Sequence, residues 1–315
     1  MDQNSKACEP TEPETSPSVR RFISGSVGLS GRSWGQGAPA VVLLHGLASN
    51  ARIWDGVASR LLRRGLSVLA LDLRGHGLSD QPRVGYDFGT VADDLDAVLE
   101  QVDAESPVIV GHSWGAHVAL YHAVHGKRRG AGLVLLDGGY LDYRVIPGLS
   151  PAAAEARLAP PRWAMPLESW LESAWLGPEV HTTGGWVKGF LEAGAVVGPD
   201  GLARSRLPYE THLAIAHELV EQEPRQLFSK VMIPFRLCIA TREDLPLPKA
   251  EAVERVRSSA PAGLYCKHEG VSHDLPLFEP ERIAEEIADF QQVCVPKLGG
   301  FKRSAQQAHS VSPLV

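Results

Sequence analysis

The chain has 315 residues, 44% of them hydrophobic, which is enough apolar surface for a large core and too much for a disordered protein. Its formal charge of -6 comes from 31 Lys and Arg against 37 Asp and Glu, with no long basic block, so nucleic-acid binding is excluded as a primary role. No run of about eighteen apolar residues occurs and no apolar signal segment opens the chain, so a cytoplasmic protein without a membrane span is expected.

Residues 1–18 are rich in Glu, Pro, Ser and Thr, have little to bury, and are expected to be a disordered tail. An alternating pattern follows. Val41-Val42-Leu43-Leu44 reads as a strand ending at His45-Gly46, Trp54 to Arg63 as a helix, and Ser67 to Leu71 as a second strand. Val91 to Val102 reads as a helix with an acidic outer face. Then come a strand at Val108, a helix from Ala116 to Val124, and a strand from Gly132 to Leu136. Continuous apolar strands alternating with helices predict an α/β fold with a mostly parallel twisted sheet covered on both faces.

From about residue 139 to 224 that rhythm stops, and the stretch carries Trp163, Trp170, Trp175 and Trp186 among many Pro and Gly. It reads as an insertion, and its tryptophans as an apolar pocket wall over the C-terminal edge of the sheet. The α/β pattern resumes with a strand from Phe235 to Ala240, a helix near Ala250 to Ser258, a strand from Leu264 to His268 and a helix from Glu281 to Val293. The core is thus expected over 19–138 and 225–297, with 298–315 a second tail.

The sequence Gly111-His112-Ser113-Trp114-Gly115 closes the Val108 strand and opens a helix. A sharp strand-to-helix turn strains the backbone at its centre and crowds the positions two before and two after, so glycines there and a serine at the apex make Ser113 the candidate nucleophile. A serine hydroxyl needs a base and a group to orient that base. Among twelve histidines, His273 stands on a loop between the last strand and the last helix, at the same sheet edge as Ser113. His268 lies within the strand and should point into or across the sheet. Asp244, on the loop after Ala240, is favoured as the orienting acid because the chain order Ser, Asp, His suits this turn. Glu243 and Asp137 compete with it. The Trp114 N–H and the Leu47 N–H, which follows Gly46, are the candidate oxyanion donors.

The four cysteines, Cys8, Cys238, Cys266 and Cys294, show no metal-ligand spacing, and the strand cysteines read as small buried hydrophobes. Neither metal nor cofactor is expected.

Together His45-Gly46, Asp72-x-Arg74-Gly75-His76-Gly77-x-Ser79, Gly111-x-Ser113-x-Gly115, Asp244 and Gly270-x-x-His273 resemble the α/β-hydrolase superfamily over roughly 20–293. The resemblance implies a Ser113–His273–Asp244 triad, an oxyanion hole at Leu47 and Trp114, a helical cap at 139–224, and a structural role for the Arg74 to Ser79 loop. Serine at position 113 disfavours the dehalogenases and epoxide hydrolases, which carry a nucleophilic Asp. Thr241 and Ala116 stand where relatives often have Gly; neither touches the triad, and Thr241 bears only on how the Asp244 loop approaches.

The expected function is cofactor-independent hydrolysis of an ester or lactone of a moderately apolar small molecule through an acyl-enzyme. Alternatives on the same residues are a C–C hydrolase, proline iminopeptidase, thioesterase or perhydrolase; a ligand receptor with little turnover is an alternative of another class. Oligomeric state is not legible.

Overall fold

The computed structural model describes residues 16–173, 185–242 and 248–294. Its main sheet has eight strands in the order β1-β2-β4-β3-β5-β6-β9-β10. They span Ser18–Ser24 (β1), Val27–Trp34 (β2), Val41–Leu44 (β3), Val68–Asp72 (β4), Val108–His112 (β5), Gly132–Leu136 (β6), Phe235–Ala240 (β9) and Leu264–His268 (β10). The pairs of β2 with β1 and β4 are antiparallel, and the remaining pairs are parallel. The mostly parallel α/β architecture expected from the apolar runs is therefore present.

Successive strand residues face opposite sides. In β5, Ile109 packs into one core, with Leu95 and Val118, while Val108 and Val110 pack into the other, with Trp54 and Phe290. Both faces are buried, which is why β3 and β5 read as unbroken apolar runs. Helices α1 (Asp55–Arg63) and α11 (Pro280–Cys294) supply one cover, and α2 (Phe88–Gln101) and α3 (Trp114–His125) the other. Helix α2 starts at Phe88, three residues before the Val91 read from the sequence, because the Asp87 carboxylate caps it, accepting from Thr90 N at 2.9 Å. Helix α3 is buried nearly all round, which suits a central position under the sheet.

Between β6 and β9 no described segment joins the main sheet. That stretch holds α4 (Pro151–Leu158), α5 (Leu167–Ser173), α6 (Trp186–Ala193), a two-stranded ribbon of β7 (Ala195–Val197) and β8 (Ala203–Ser205), α7 (Tyr209–Glu221) and α8 (Pro224–Phe228). After β9 come α9 (Lys249–Ser259), then β10 and the short α10 (Leu275–Phe278). Among the described residues no helix is long and apolar enough to cross a membrane.

The loop after β4 is built for rigidity. The Asp72 carboxylate accepts from Ala51 N at 2.7 Å and Leu78 N at 2.9 Å, and the buried Arg74 guanidinium grips Asp94 of α2 bidentately at 2.5 and 2.6 Å. Such forked, desolvated pairs fix geometry as much as they stabilise. His76 accepts from Ala48 N at 3.2 Å and stacks 5.1 Å from the Trp114 ring, so this loop buttresses the strand ends that carry Leu47 and Trp114.

Candidate active site

In an open parallel sheet, chemistry collects where the C-terminal ends of neighbouring strands meet. Here β3, β5, β6 and β9 are consecutive neighbours, and His45-Gly46-Leu47, Ser113 and Asp137 leave the ends of the first three. His273 arrives from the loop after β10.

Ser113 adopts φ 53° and ψ -120°, a conformation that an L-residue holds only when its surroundings force it. The forcing is visible at the flanking glycines. A Cβ on Gly111 would strike the Gly115 carbonyl and lie 2.5 Å from Ala116 Cα, and one on Gly115 would lie 2.5 Å from the His45 carbonyl oxygen. Helix and strand can approach this closely only with hydrogen at both positions. The Ser113 N–H donates to the Leu136 carbonyl at 3.0 Å, which ties the apex of the turn to the end of β6.

The β3 loop passes equally close. A Cβ on Gly46 would lie 3.0 Å from Ser113 Cβ and 3.5 Å from its Oγ, which brings the chain entering Leu47 against the Ser113 side chain. Trp114 is the first residue of α3, so its N–H is one of the orphan donors at a helix N-terminus and carries the positive end of the helix dipole.

His273 donates its Nδ1–H to Asp137 Oδ2 at 2.7 Å. Asp137 is buried and has four donors, since Tyr140 Oη reaches Oδ1 at 2.7 Å, Ala240 N reaches Oδ1 at 3.3 Å, and Lys249 Nζ reaches Oδ2 at 2.8 Å. Burial alone would raise the Asp137 pKa, but the His273 and Lys249 partners hold it down at about 2. Burial likewise works against a charged His273, and the Asp137 hydrogen bond overcomes it, so the imidazole pKa is raised above its usual value. The backbone of His273 is fixed by His112, whose Nε2–H donates to the His273 carbonyl at 3.0 Å, with the two rings 4.8 Å apart. Burial pushes the His112 pKa down to about 4, so it performs this task as a neutral imidazole.

Ser113, Trp114, Leu47, Asp137 and His273 line one cavity of about 200 Å³, closed by Leu141, Tyr143, Leu158 and Leu219 of the insertion and by His117 and Lys249. A larger cleft, about 620 Å³, beside Arg144, Glu223 and Arg255 is bordered by neither Ser113 nor His273.

Of the residues singled out in the sequence, the structure brings Ser113, His273, Leu47 and Trp114 together. Asp244 and Glu243 lie outside the described residues; among the described residues the carboxylate on His273 Nδ1 is Asp137. The tryptophan wall is not formed by Trp163, Trp170 or Trp186. Trp163 and Trp170 stack on each other at 4.3 Å, and Trp163 borders a separate cleft with Pro160 and Tyr209. Trp186 lies over Gly56 of α1, close enough that a Cβ there would sit 2.7 Å from its ring. Their large rings satisfy packing within the insertion and against α1, and shorter side chains close the cavity. Trp175 lies outside the described residues. Lys249, Tyr140 and His112 were missed by sequence reasoning; only His112, inside the glycine motif, had a local signal.

Cys238 and Cys266, read from the sequence as small buried hydrophobes, are register partners on β9 and β10 with Sγ atoms 2.7 Å apart, beside His268 and Glu286.

Residues 41–286 match the alpha/beta hydrolase family. An uncharacterized protein of Mycobacterium tuberculosis is 39% identical over 101 residues, 32% of this chain and 29% of that protein. The 2-(acetamidomethylene)succinate hydrolase of Mesorhizobium japonicum is 37% identical over 97 residues, 31% of this chain and 34% of that one. The chain thus spans about a third of the length of these curated relatives. Among solved structures, that of E-2-(acetamidomethylene)succinate hydrolase superposes with a TM-score of 0.74 at 24% identity, over 87% of this chain and 98% of the other, a likeness of fold.

Proposed function

Because the chain belongs to the alpha/beta hydrolase family, we propose that it is a serine hydrolase that cleaves a carboxylic ester or lactone of a small, moderately apolar molecule. The observation that carries this reading is the convergence of a strained Ser113, a His273 held by a buried carboxylate, and the residues Leu47 and Trp114 on one apolar cavity.

In this reading, His273 Nε2 takes the Ser113 Oγ proton as the oxygen attacks the substrate carbonyl. Asp137 keeps Nδ1 protonated and stabilises the imidazolium that forms. The Leu47 and Trp114 N–H groups receive the developing oxyanion; each such donor typically contributes about 10²–10³ in rate. His273 returns the proton to the leaving alkoxide, and water, activated by the same imidazole, releases the acid. Residues 139–224 act as the cap that shapes the acyl site. At about 200 Å³ the cavity is smaller than the roughly 300–1,000 Å³ of pockets for drug-sized ligands, which favours short acyl groups.

The test is steady turnover of a panel of p-nitrophenyl esters and simple lactones by the wild-type chain and by Ser113→Ala. Ester turnover abolished in Ser113→Ala supports the reading. Stoichiometric ligand binding without turnover contradicts it and favours a receptor.

A further inference from the structure

On the α11 side of the sheet edge, three elements converge on one point. Cys238 on β9 and Cys266 on β10 are register partners, and Cys266 and His268, two apart on β10, face the same side. Glu286 of α11 completes the group. Its Oε2 lies 3.2 Å from Cys238 Sγ, 3.7 Å from Cys266 Sγ and 3.3 Å from His268 Nε2. One donor atom from each of the four residues falls within 4.8 Å of the others.

His268 supplies an independent observation. It is fully buried and its Nδ1 is held by the Glu279 carboxylate, which turns Nε2 toward the cluster, where it faces Glu286 Oε2 at 3.3 Å without a well-formed hydrogen bond. A carboxylate on the far nitrogen is what orients and strengthens a metal-ligating imidazole. Arg282 reaches both Glu279 and Glu286, at 3.4 and 3.3 Å, and fixes the two carboxylates in turn.

We propose that Cys238, Cys266, His268 and Glu286 form a closed structural Zn²⁺ site that fastens β10 and α11 to β9. Two thiolates, one imidazole and one carboxylate are a borderline-soft tetrahedral set that suits Zn²⁺, and four protein donors leave no open coordination position, as in structural rather than catalytic zinc sites. Bonds of about 2.0–2.3 Å at tetrahedral angles need donors roughly 3.3–3.8 Å apart, so the two sulfurs, 2.7 Å apart, must separate by about 1 Å, and donors as much as 4.8 Å apart must draw in by about as much. Loading replaces the thiol protons, and any proton on His268 Nε2, which leave to solvent. A Cys238–Cys266 disulfide explains less, because it gives His268 Nε2 no well-formed hydrogen bond and makes no use of the Glu286 oxygen turned toward both sulfurs. The site lies apart from Ser113, but β10 leads within five residues to His273, so the metal would steady the strand from which the base is hung.

The test uses the full-length chain purified with Zn²⁺ and without chelator. Elemental analysis should find about one zinc per chain, and Co²⁺ substitution should give the thiolate charge-transfer and visible bands of tetrahedral cobalt. Adding Zn²⁺ to metal-stripped protein should raise Tm. Cys266→Ser should retain less than about a tenth of the zinc. Glu279→Gln, which keeps all four donors, should bind it about 10–100-fold more weakly, a measure that survives if Cys266→Ser fails to fold. Folded wild-type protein that takes up no zinc from micromolar Zn²⁺, or that carries a Cys238–Cys266 disulfide under these conditions, overturns the proposal.

Discussion

His273 Nδ1 lies 2.7 Å from Asp137 Oδ2, so a buried carboxylate hydrogen-bonded to the candidate base leaves the end of β6. The buried oxygen also receives Lys249 Nζ at 2.8 Å, which places a cation, a carboxylate and an imidazole in one line of hydrogen bonds.

Asp137→Asn is therefore expected to lower kcat by about 10³–10⁴, the loss that follows when the base is held in the wrong tautomer. Asp244→Asn is expected to change kcat less than about threefold. Both are checked by ester turnover, with thermal unfolding to confirm that each variant is folded. The reverse ranking would return the orienting role to Asp244.

The acid limb of the pH profile follows from the same pair. His273 must be neutral to accept the Ser113 proton, and its pKa is raised by Asp137, so kcat/KM should climb with pH through a midpoint above 6.5. In Asp137→Asn the carboxylate that favours the imidazolium is gone, and the midpoint of the residual activity should move to lower pH. Lys249→Met removes a cation that disfavours the imidazolium, and the midpoint should move up. Titration of kcat/KM from pH 5 to 9 reads all three.

Much of this was legible in the sequence, and what was not has physical reasons. The strand–turn–helix around Ser113 and the loop position of His273 show locally, because the glycine crowding and the apolar runs are local. The acid does not. Asp137 and Asp244 both satisfy the order Ser, Asp, His, and only the adjacency of β6 to both β5 and β9 brings Asp137 to the imidazole. The β1–β2 hairpin carries little apolar signal because β1 fully buries only Phe22, although Gly25-Ser26 at its tip, with Gly25 at φ 57°, is a turn signal. The Cys238, Cys266, His268 and Glu286 cluster has no spacing motif, since its cysteines are 28 positions apart on different strands and its fourth member is on a helix.

The apolar side chains that close the cavity predict an acyl-length profile. Each buried methylene is worth about 0.8 kcal/mol, or about fourfold in kcat/KM, until the cavity of about 200 Å³ is full. Beyond that length kcat/KM should fall. Leu219→Ala enlarges the end formed by the insertion and should shift the optimum toward longer acyl chains with kcat on the shortest ester nearly unchanged. A series of p-nitrophenyl esters measured on both proteins checks this; an unchanged optimum would mean that the acyl group does not reach Leu219.

The nucleophile itself is tested most directly by reaction with a fluorophosphonate, followed by intact-mass and peptide mass spectrometry. One adduct per chain on Ser113, formed in proportion to the loss of esterase activity and absent in His273→Ala under the same conditions, is the expected result. Full esterase activity in protein whose Ser113 is quantitatively modified, or an adduct that forms on another residue as activity is lost, would contradict the account.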